Sequence, residues 1–391
     1  MSKSRIIIIS NDIIPGMEMP VAAPGLRAFG LARGLRENGF KVETLIPKGI
    51  VERQWWIWGG TTPFPTPPNT FVIKPKKITD YLKQSVPAVV LLINSNQVDH
   101  VQVIPGIRYV LDLFAPKMLE LNCSQNNYSF EKFQNLRQRK LRAIGLADAF
   151  IINGQKKVPY FLSWILESER DIKNLSIEVV NMCIPPKLVT NSKNQDGITR
   201  FSIAGYLQQW QILGGWVDVL KEHLEKSKAQ LNILTPTHWG GGRENQDSPE
   251  RELLNQLNQL ESVKFHQPMR FSDFQFFLST VDVYIDLFQH NLEREYAMVT
   301  RSIVALSCGC PVIHPPFTEV SLMIAQYDAG WLIDPTDTQQ FELVLQQIEK
   351  DFKIIQKKAK NARLLAAEIL KPAAAVQPLV QILNSWQSNE Q

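Results

Sequence analysis

Arg5-Ile-Ile-Ile-Ile-Ser10, then Gly25-Leu-Arg-Ala-Phe-Gly-Leu-Ala-Arg-Gly-Leu-Arg-Glu-Asn38, then Val42-Glu-Thr-Leu-Ile46 decide the fold. Ile6–Ser10 is a short, unbroken apolar run of β-branched residues, which marks a strand buried on both faces. Gly25–Asn38 places Leu26, Phe29, Leu31 and Leu35 at helical spacing, and Gly39 stops the helix. Val42–Ile46 is the next strand. A strand, a crossover helix and a second strand in this order predict a parallel sheet.

The same alternation continues along the chain. Val72–Ile73, Ala88–Asn94, Tyr109–Leu113 and Ala149–Ile152 extend the strand series, with helices over Ile78–Gln84 and Phe130–Ile144. The polar stretch Pro185–Arg200 then separates a second series. It comprises strands at Phe201–Ala204, Leu231–Leu234, Val263–Phe265, Val283–Leu287, Pro311–His314 and Trp331–Ile333. Helices lie near Gly215–Leu224, Arg251–Leu260 and Val299–Ser307, and almost everything after Thr338 is helical, with a break at Pro372. The expected organisation is a domain over 1–185, a linker over 186–200, a second domain over 201–371 and a terminal helical segment over 372–391. The fold class is α/β, with two Rossmann-like doubly wound domains facing across a cleft.

The chain has 391 residues, 44% of them hydrophobic and 20% charged, which places it among globular proteins with two ordinary cores. Its longest apolar runs, Ile6–Ile9 and Val89–Ile93, fall far short of the roughly 20 residues that cross a bilayer. The opening segment is too short for a signal-peptide core, so a cytoplasmic location is expected. Cys123, Cys183, Cys308 and Cys310 lack zinc-ligand spacing and read as reduced core thiols. Residues 1–195 hold 25 Lys and Arg against 15 Asp and Glu, a balance of +10, whereas residues 196–391 balance at −6. A basic first half suits an anionic partner such as a membrane surface. No basic cluster interleaved with aromatics forms a nucleic-acid module, so nucleic acid is not an expected partner.

Four segments carry candidate chemistry. The 14-residue loop Asn11–Pro24 leads into Gly25 and Arg27, where Gly25 permits close approach of a backbone or ligand and Arg27 offers its fork to a phosphate or sugar hydroxyl. Asp112, an acid at the end of an apolar strand, must be paired or useful. Trp55, Trp56 and Trp58 crowd four positions ahead of a proline-rich stretch, where they would form an acceptor wall, a membrane belt or a cluster under a loop. The densest segment is Glu293-Arg-Glu-Tyr-Ala-Met-Val-Thr-Arg301, running into Ala305–Ile313. There an anion resting on a helix start would also meet Arg301, one turn in. The loop Thr235–Gly242, with His238 and three consecutive glycines, is a weaker signal.

Ala305-Leu-Ser-Cys-Gly-Cys-Pro-Val-Ile313, the later Glu319 and Ala329-Gly-Trp-Leu-Ile-Asp-Pro335 resemble the donor-site signature of GT-B glycosyltransferases of family 4. In that family "E-A-M-A-C-G-x-P-V-I" precedes "G-x-L-v-x-P". Gly25–Phe29, Leu31–Leu35 and Asn38–Val42 resemble its first helix and second strand, and Val281–Tyr284 its "A-D-V" strand. The resemblance implies an acceptor-binding first domain, a nucleotide-sugar-binding second domain and a terminal helix crossing back to the first. Two departures stand out. The second glutamate of the family's Glu-x7-Glu pair, which holds the donor ribose, is Val304 here, and its first partner falls on Tyr296, beside Glu295. The family's arginine and lysine after the first strand of the second domain are absent from Gly205-Tyr-Leu-Gln-Gln-Trp210. Thr300-Arg301 resembles a subgroup with "T-R" at this helix start, which gives Arg301 the diphosphate.

The resemblance implies a metal-independent, retaining transfer from a nucleoside-diphosphate sugar to a saccharide, lipid-linked or other small acceptor, with no cofactor. Arg301, Glu295 and Asp112 are the expected catalytic groups. Gly205, Trp210, His238, Phe265, Thr300 and Glu293 are expected at the donor, and Gly25, Arg27, Trp55 and Trp56 on the acceptor side. Val304 and the missing cations motivate an alternative, a non-catalytic relative acting as a binding or assembly subunit. A nucleotide-sugar epimerase is the third reading.

Overall fold

The structure, a computed structural model, describes residues 5–58, 65–124, 128–185, 196–235 and 249–388, and of residues 55–58 the backbone alone. It divides into two compact units: Met1–Asn122 with Asn127–Ile184 and Ile369–Gln391, and Pro185–Glu368 with Cys123–Asn126. Residues 186–195, most of the expected linker, lie outside the described residues.

The first unit is built on a seven-stranded sheet of β1 (Arg5–Ile9), β2 (Lys41–Pro47), β3 (Thr70–Ile73), β4 (Ala88–Ile93), β5 (Ile107–Leu113), β6 (Ala149–Ile152) and β7 (Ser176–Val179). Its spatial order is β3-β2-β1-β4-β5-β6-β7, and every ladder is parallel. Helices α1 (Ala23–Glu37), α2 (Lys48–Trp58), α3 (Ile78–Lys83), α4 (Lys117–Asn122), α5 (Phe130–Leu146) and α6 (Val158–Glu167) connect the strands. Ile6–Ile9 and all of β4 are buried, because helices cover both faces of the sheet. Fully burying one such side chain contributes about 1.5–3 kcal/mol relative to leaving it in water.

The second unit holds six parallel strands in the order β10-β9-β8-β11-β12-β13. They are β8 (Arg200–Ala204), β9 (Gln230–Leu234), β10 (Val263–Phe265), β11 (Val283–Ile285), β12 (Val312–His314) and β13 (Gly330–Leu332). Helices α7 (Trp216–Lys226), α8 (Pro249–Asn255), α9 (Phe271–Thr280), α10 (Leu292–Tyr296), α11 (Thr300–Ser307), α12 (Glu319–Tyr327), α13 (Thr338–Lys350) and α14 (Phe352–Glu368) surround them. The chain ends with α15 (Pro372–Ala375) and α16 (Gln377–Ser388), which belong to the first unit. There the Asn38 side-chain amide donates to Ala373 O at 3.0 Å, and Gln377 donates back to Asn38 at 2.8 Å.

Each sheet has one point where the strand order reverses, between β1 and β4 and between β8 and β11. Ligands of doubly wound sheets bind beyond the carboxyl ends of the strands at that point.

Several elements differ from the sequence reading. β11 ends at Ile285 rather than Leu287; Asp286 N still donates to Ile313 O of β12 at 3.0 Å, while the Asp286 side chain turns to groups on α11. β7, α2, α4, α6, α9, α10 and α12 were not foreseen. β7 is a half-buried edge strand of four residues, too short for a clear alternation, and in α9 the exposed Phe276 and the buried Gln275 blur the apolar pattern.

Candidate anion-binding site

At the reversal point of the second sheet, β8 ends in Ala204 and the chain turns at Gly205, whose φ is +102°. A β-carbon there would lie 2.9 Å from Arg301 Cδ, so glycine serves both the backbone conformation and the seat of the Arg301 stem. Neighbouring β11 delivers Asp286, and α11 delivers Arg301 and Ser302 from its first turn. Val299, the N-cap residue of α11, supplies no side-chain hydrogen bond, and the first helical bond is Ile303 N to Val299 O. The N–H groups of Thr300, Arg301 and Ser302 therefore precede the helical ladder, with the positive end of the helix dipole behind them.

Arg301 is held on three sides. Its Nε donates to Asp286 Oδ1 at 2.8 Å, and Nη1 donates to Tyr206 O and Gln211 Oε1, both at 3.1 Å. The guanidinium carbon stands 4.4 Å from the centre of the Phe288 ring. Nη2 is buried and finds no hydrogen-bond partner among the described residues. A buried cationic donor without an acceptor is costly unless an anion completes it.

Behind Arg301 lies a chain of buried polar groups. Ser302 donates its hydroxyl to Asp286 Oδ2, His314 Nδ1 stands 3.2 Å from Ser302 Oγ, and His314 Nε2 stands 2.7 Å from Thr318 Oγ1. Burial alone would push the Asp286 carboxyl up, but Arg301, His314 and Ser302 together hold it below the ordinary carboxylate range. Burial takes the His314 imidazole down to about 4, so it is neutral at physiological pH.

The other expected donor residues scatter. Thr300 opens α11 and donates its hydroxyl to Met298 O at 3.3 Å. Glu295 is half-exposed on α10, with an oxygen 3.5 Å from His290 Nε2. Glu293 is buried and accepts from Arg294 Nε on Oε2 at 2.6 Å. Trp210 accepts Asn291 Nδ2 on its carbonyl at 2.6 Å, and its indole N–H is buried without a partner among the described residues. Phe265, 39% exposed, is on β10 at the sheet edge, with β9 and β8 between its strand and β11. Val304 is buried in α11. His238 and Gly240–Gly242 lie outside the described residues.

The expected acceptor side requires correction. Arg27 and Asp112 are both fully buried in the first unit and bind each other through two hydrogen bonds, Nε to Oδ2 at 2.9 Å and Nη2 to Oδ1 at 3.1 Å. Arg27 Nη1 donates to Val180 O at 2.8 Å and Asn181 O at 2.7 Å. With each of the three Arg27 nitrogens engaged and no side-chain surface exposed, the pair ties α1 to β5 and to the chain after β7, and presents nothing to an acceptor. Gly25 likewise serves packing, since a β-carbon there would fall 1.7 Å from Ile13 O. The side chains of Trp55 and Trp56 lie outside the described residues.

Asp286, Ser302, His314, Thr318, Gln211 and Phe288 were missed by the sequence reading. The one available signal was an acid at the end of an apolar strand, the same signal that singled out Asp112. Among the described residues, no helix is long and apolar enough to cross a membrane, and no group of three His, Cys, Asp or Glu is placed to hold a metal.

No family model matches the chain, and no curated protein sequence does. Solved structures do. Sucrose-phosphate synthase from Thermosynechococcus elongatus is similar at 12% identity and a TM-score of 0.67, over 99% of this chain and 100% of that one. Anabaena HepE in complex with UDP and glucose is similar at 12% identity and 0.64, over 98% and 100%. WaaG, a glycosyltransferase involved in lipopolysaccharide biosynthesis, is similar at 13% identity and 0.59, over 96% and 98%. At these identities the likeness is one of fold, and the fold is that of the GT-B glycosyltransferases.

Proposed function

We propose that this protein is a glycosyltransferase of the family-4 type that takes its sugar from a uridine diphosphate sugar. The observation that carries the reading is Arg301, whose Nη2 is an unfilled buried cationic donor beside the open N-terminus of α11. A diphosphate satisfies both features at once. Similar folds that hold UDP, such as HepE, support uridine as the base.

In the proposed reaction the acceptor oxygen attacks the anomeric carbon, the bond from that carbon to the β-phosphate oxygen breaks, and the acceptor proton passes to the departing diphosphate on the same face. Configuration is retained. Arg301 and the α11 amides stabilise the charge that develops on the leaving group, without a metal ion. Glu295, half-exposed on neighbouring α10, is assigned to ribose or sugar hydroxyls in place of the family's second glutamate, and Thr300 to the diphosphate.

A saccharide or lipid-linked acceptor remains part of this reading, but Arg27 and Asp112 no longer serve it. A peripheral contact of a cytoplasmic enzyme with an anionic membrane rests on the +10 balance of the first half. Arg137, Arg139 and Arg142 on α5 already face Glu167 and Asp99, so the contact is weak and measurable as vesicle binding that salt abolishes.

The binding-subunit alternative is favoured by Val304 and by Tyr206-Leu-Gln-Gln209 after β8, which supplies no cation where the family has two. Thermal shift with UDP and UDP-sugars tests the proposal together with release of free sugar from the donor. A raised melting temperature with slow hydrolysis supports the transferase. Binding without turnover supports the subunit, interconversion of the sugar supports the epimerase, and no shift at millimolar ligand rejects the donor site.

A further inference from the structure

The structure contains two buried Arg–Asp pairs, and they are built differently. Arg27 spends Nε and Nη2 on both oxygens of Asp112, which closes the fork. Asp286 meets Arg301 through Nε alone and turns its second oxygen to Ser302. With a carboxylate at Nε and with Tyr206 O and Gln211 Oε1 on Nη1, Nη2 alone is left without an acceptor, and the Phe288 ring packs against the guanidinium. The result is a cation whose orientation is set and whose Nη2 lacks an acceptor.

The hydrogen bonds behind Asp286 have one self-consistent direction. Ser302 has a single hydroxyl proton and gives it to Asp286, so toward His314 it accepts, and His314 Nδ1 carries the hydrogen. Nε2 of the neutral ring is then an acceptor and takes the Thr318 hydroxyl proton. Thr318 Oγ1 accepts Ser321 N at 3.3 Å as the N-cap of α12. Every proton points toward Asp286. The chain crosses from α12 through β12 and α11 to the end of β11, and Ser302, His314, Thr318 and Asp286 are all at most 2% exposed.

We propose that Asp286 is a positioning residue, which aims Arg301 Nη2 at a diphosphate oxygen, and that Ser302, His314 and Thr318 fix Asp286 in the orientation that does so. The inference rests on the donor-site reading above and adds the residues that make that site. It separates two roles a buried carboxylate can have toward an arginine. One is to neutralise it, as Asp112 does, and the other is to hold it by its inner nitrogen for a second anion.

The test is a double-mutant cycle on UDP affinity, measured by calorimetry on the full chain with inorganic pyrophosphate as a second probe. Asp286→Asn keeps the shape and removes the charge. It is expected to weaken UDP about tenfold when Arg301 is present and less than about twofold in an Arg301→Ala background. Ser302→Ala is expected to weaken UDP about threefold, with the same dependence on Arg301. Should Asp286→Asn fail to fold, the Ser302→Ala cycle and the ¹⁵N shifts of His314 take its place. A protonated Nδ1 and an unprotonated Nε2 are expected, and the opposite tautomer contradicts the chain. Equal losses with and without Arg301 mean that Asp286 acts only on stability, which overturns this inference and leaves the donor site standing. If the unmutated protein binds neither UDP nor pyrophosphate, the donor-site reading and the inference fall together.

Discussion

Arg27 and Arg301 occupy comparable places in the two units, each in the early part of a helix with a buried aspartate at a strand end as partner. Arg27 is 0% exposed in its side chain, with Asp112 and two carbonyls around it; Arg301 is 11% exposed, with Nη2 unfilled. The difference lies in the carboxylate. A bidentate partner completes a guanidinium and makes it part of the core, whereas a partner at Nε alone leaves a donor for something else.

The largest effect expected from this comparison is on stability in the first unit. Arg27→Ala leaves Asp112 buried without its cation and should cost about 3–5 kcal/mol in chemical denaturation, the range for breaking a buried pair. UDP affinity of the protein that stays folded should be unchanged. A stable Arg27→Ala variant with weakened UDP binding would erase the distinction between the two arginines.

The second effect is a pH dependence that belongs to the Arg301 side. His314 titrates near 4 when folded and at an ordinary 6.5 when unfolded, so below pH 6.5 the unfolded chain binds a proton that the folded one refuses. Stability should therefore fall as pH drops from about 6.5 toward 4, by about 3 kcal/mol at most, and level off below. Melting curves of the protein and of His314→Gln across this window check it, since the variant should lose this part of the slope.

A smaller effect is expected at Gly205. Alanine there combines a φ of +102° with a contact of 2.9 Å to Arg301 Cδ, and should cost about 1–3 kcal/mol of stability while weakening UDP severalfold. Full affinity in Gly205→Ala would show that the Arg301 stem tolerates displacement, which sharpens the role of Asp286 as its holder.

Much of the fold was legible because strands buried on both faces are continuous apolar runs, and Ile6–Ile9 and Val89–Ile93 declare themselves. Short edge strands such as β7, half in solvent, do not. The site was legible only in part, and the two arginines explain why. Each lies in a helix that connects two parallel strands of its own unit, and each unit offers an acid at an apolar strand end. What sets them apart is which oxygen meets which nitrogen across 85 residues in one case and 15 in the other. That is a property of tertiary geometry and has no period or spacing in the sequence. The same holds for His314, which in the sequence is only the polar end of a strand.

The central claim, that Arg301 and the start of α11 are an open anion site while Arg27 and α1 are closed, is tested most directly by hydrogen exchange with and without UDP-glucose. The amides of Thr300, Arg301 and Ser302 precede the helical ladder and have no side-chain cap, so they should exchange quickly in the free protein. Millimolar UDP-glucose should slow exchange across Glu293–Ser302 and leave Ala23–Glu37 unchanged, and Arg301→Ala should remove the protection. Equal exchange at Glu293–Ser302 with and without ligand, or protection that survives Arg301→Ala, would contradict the account.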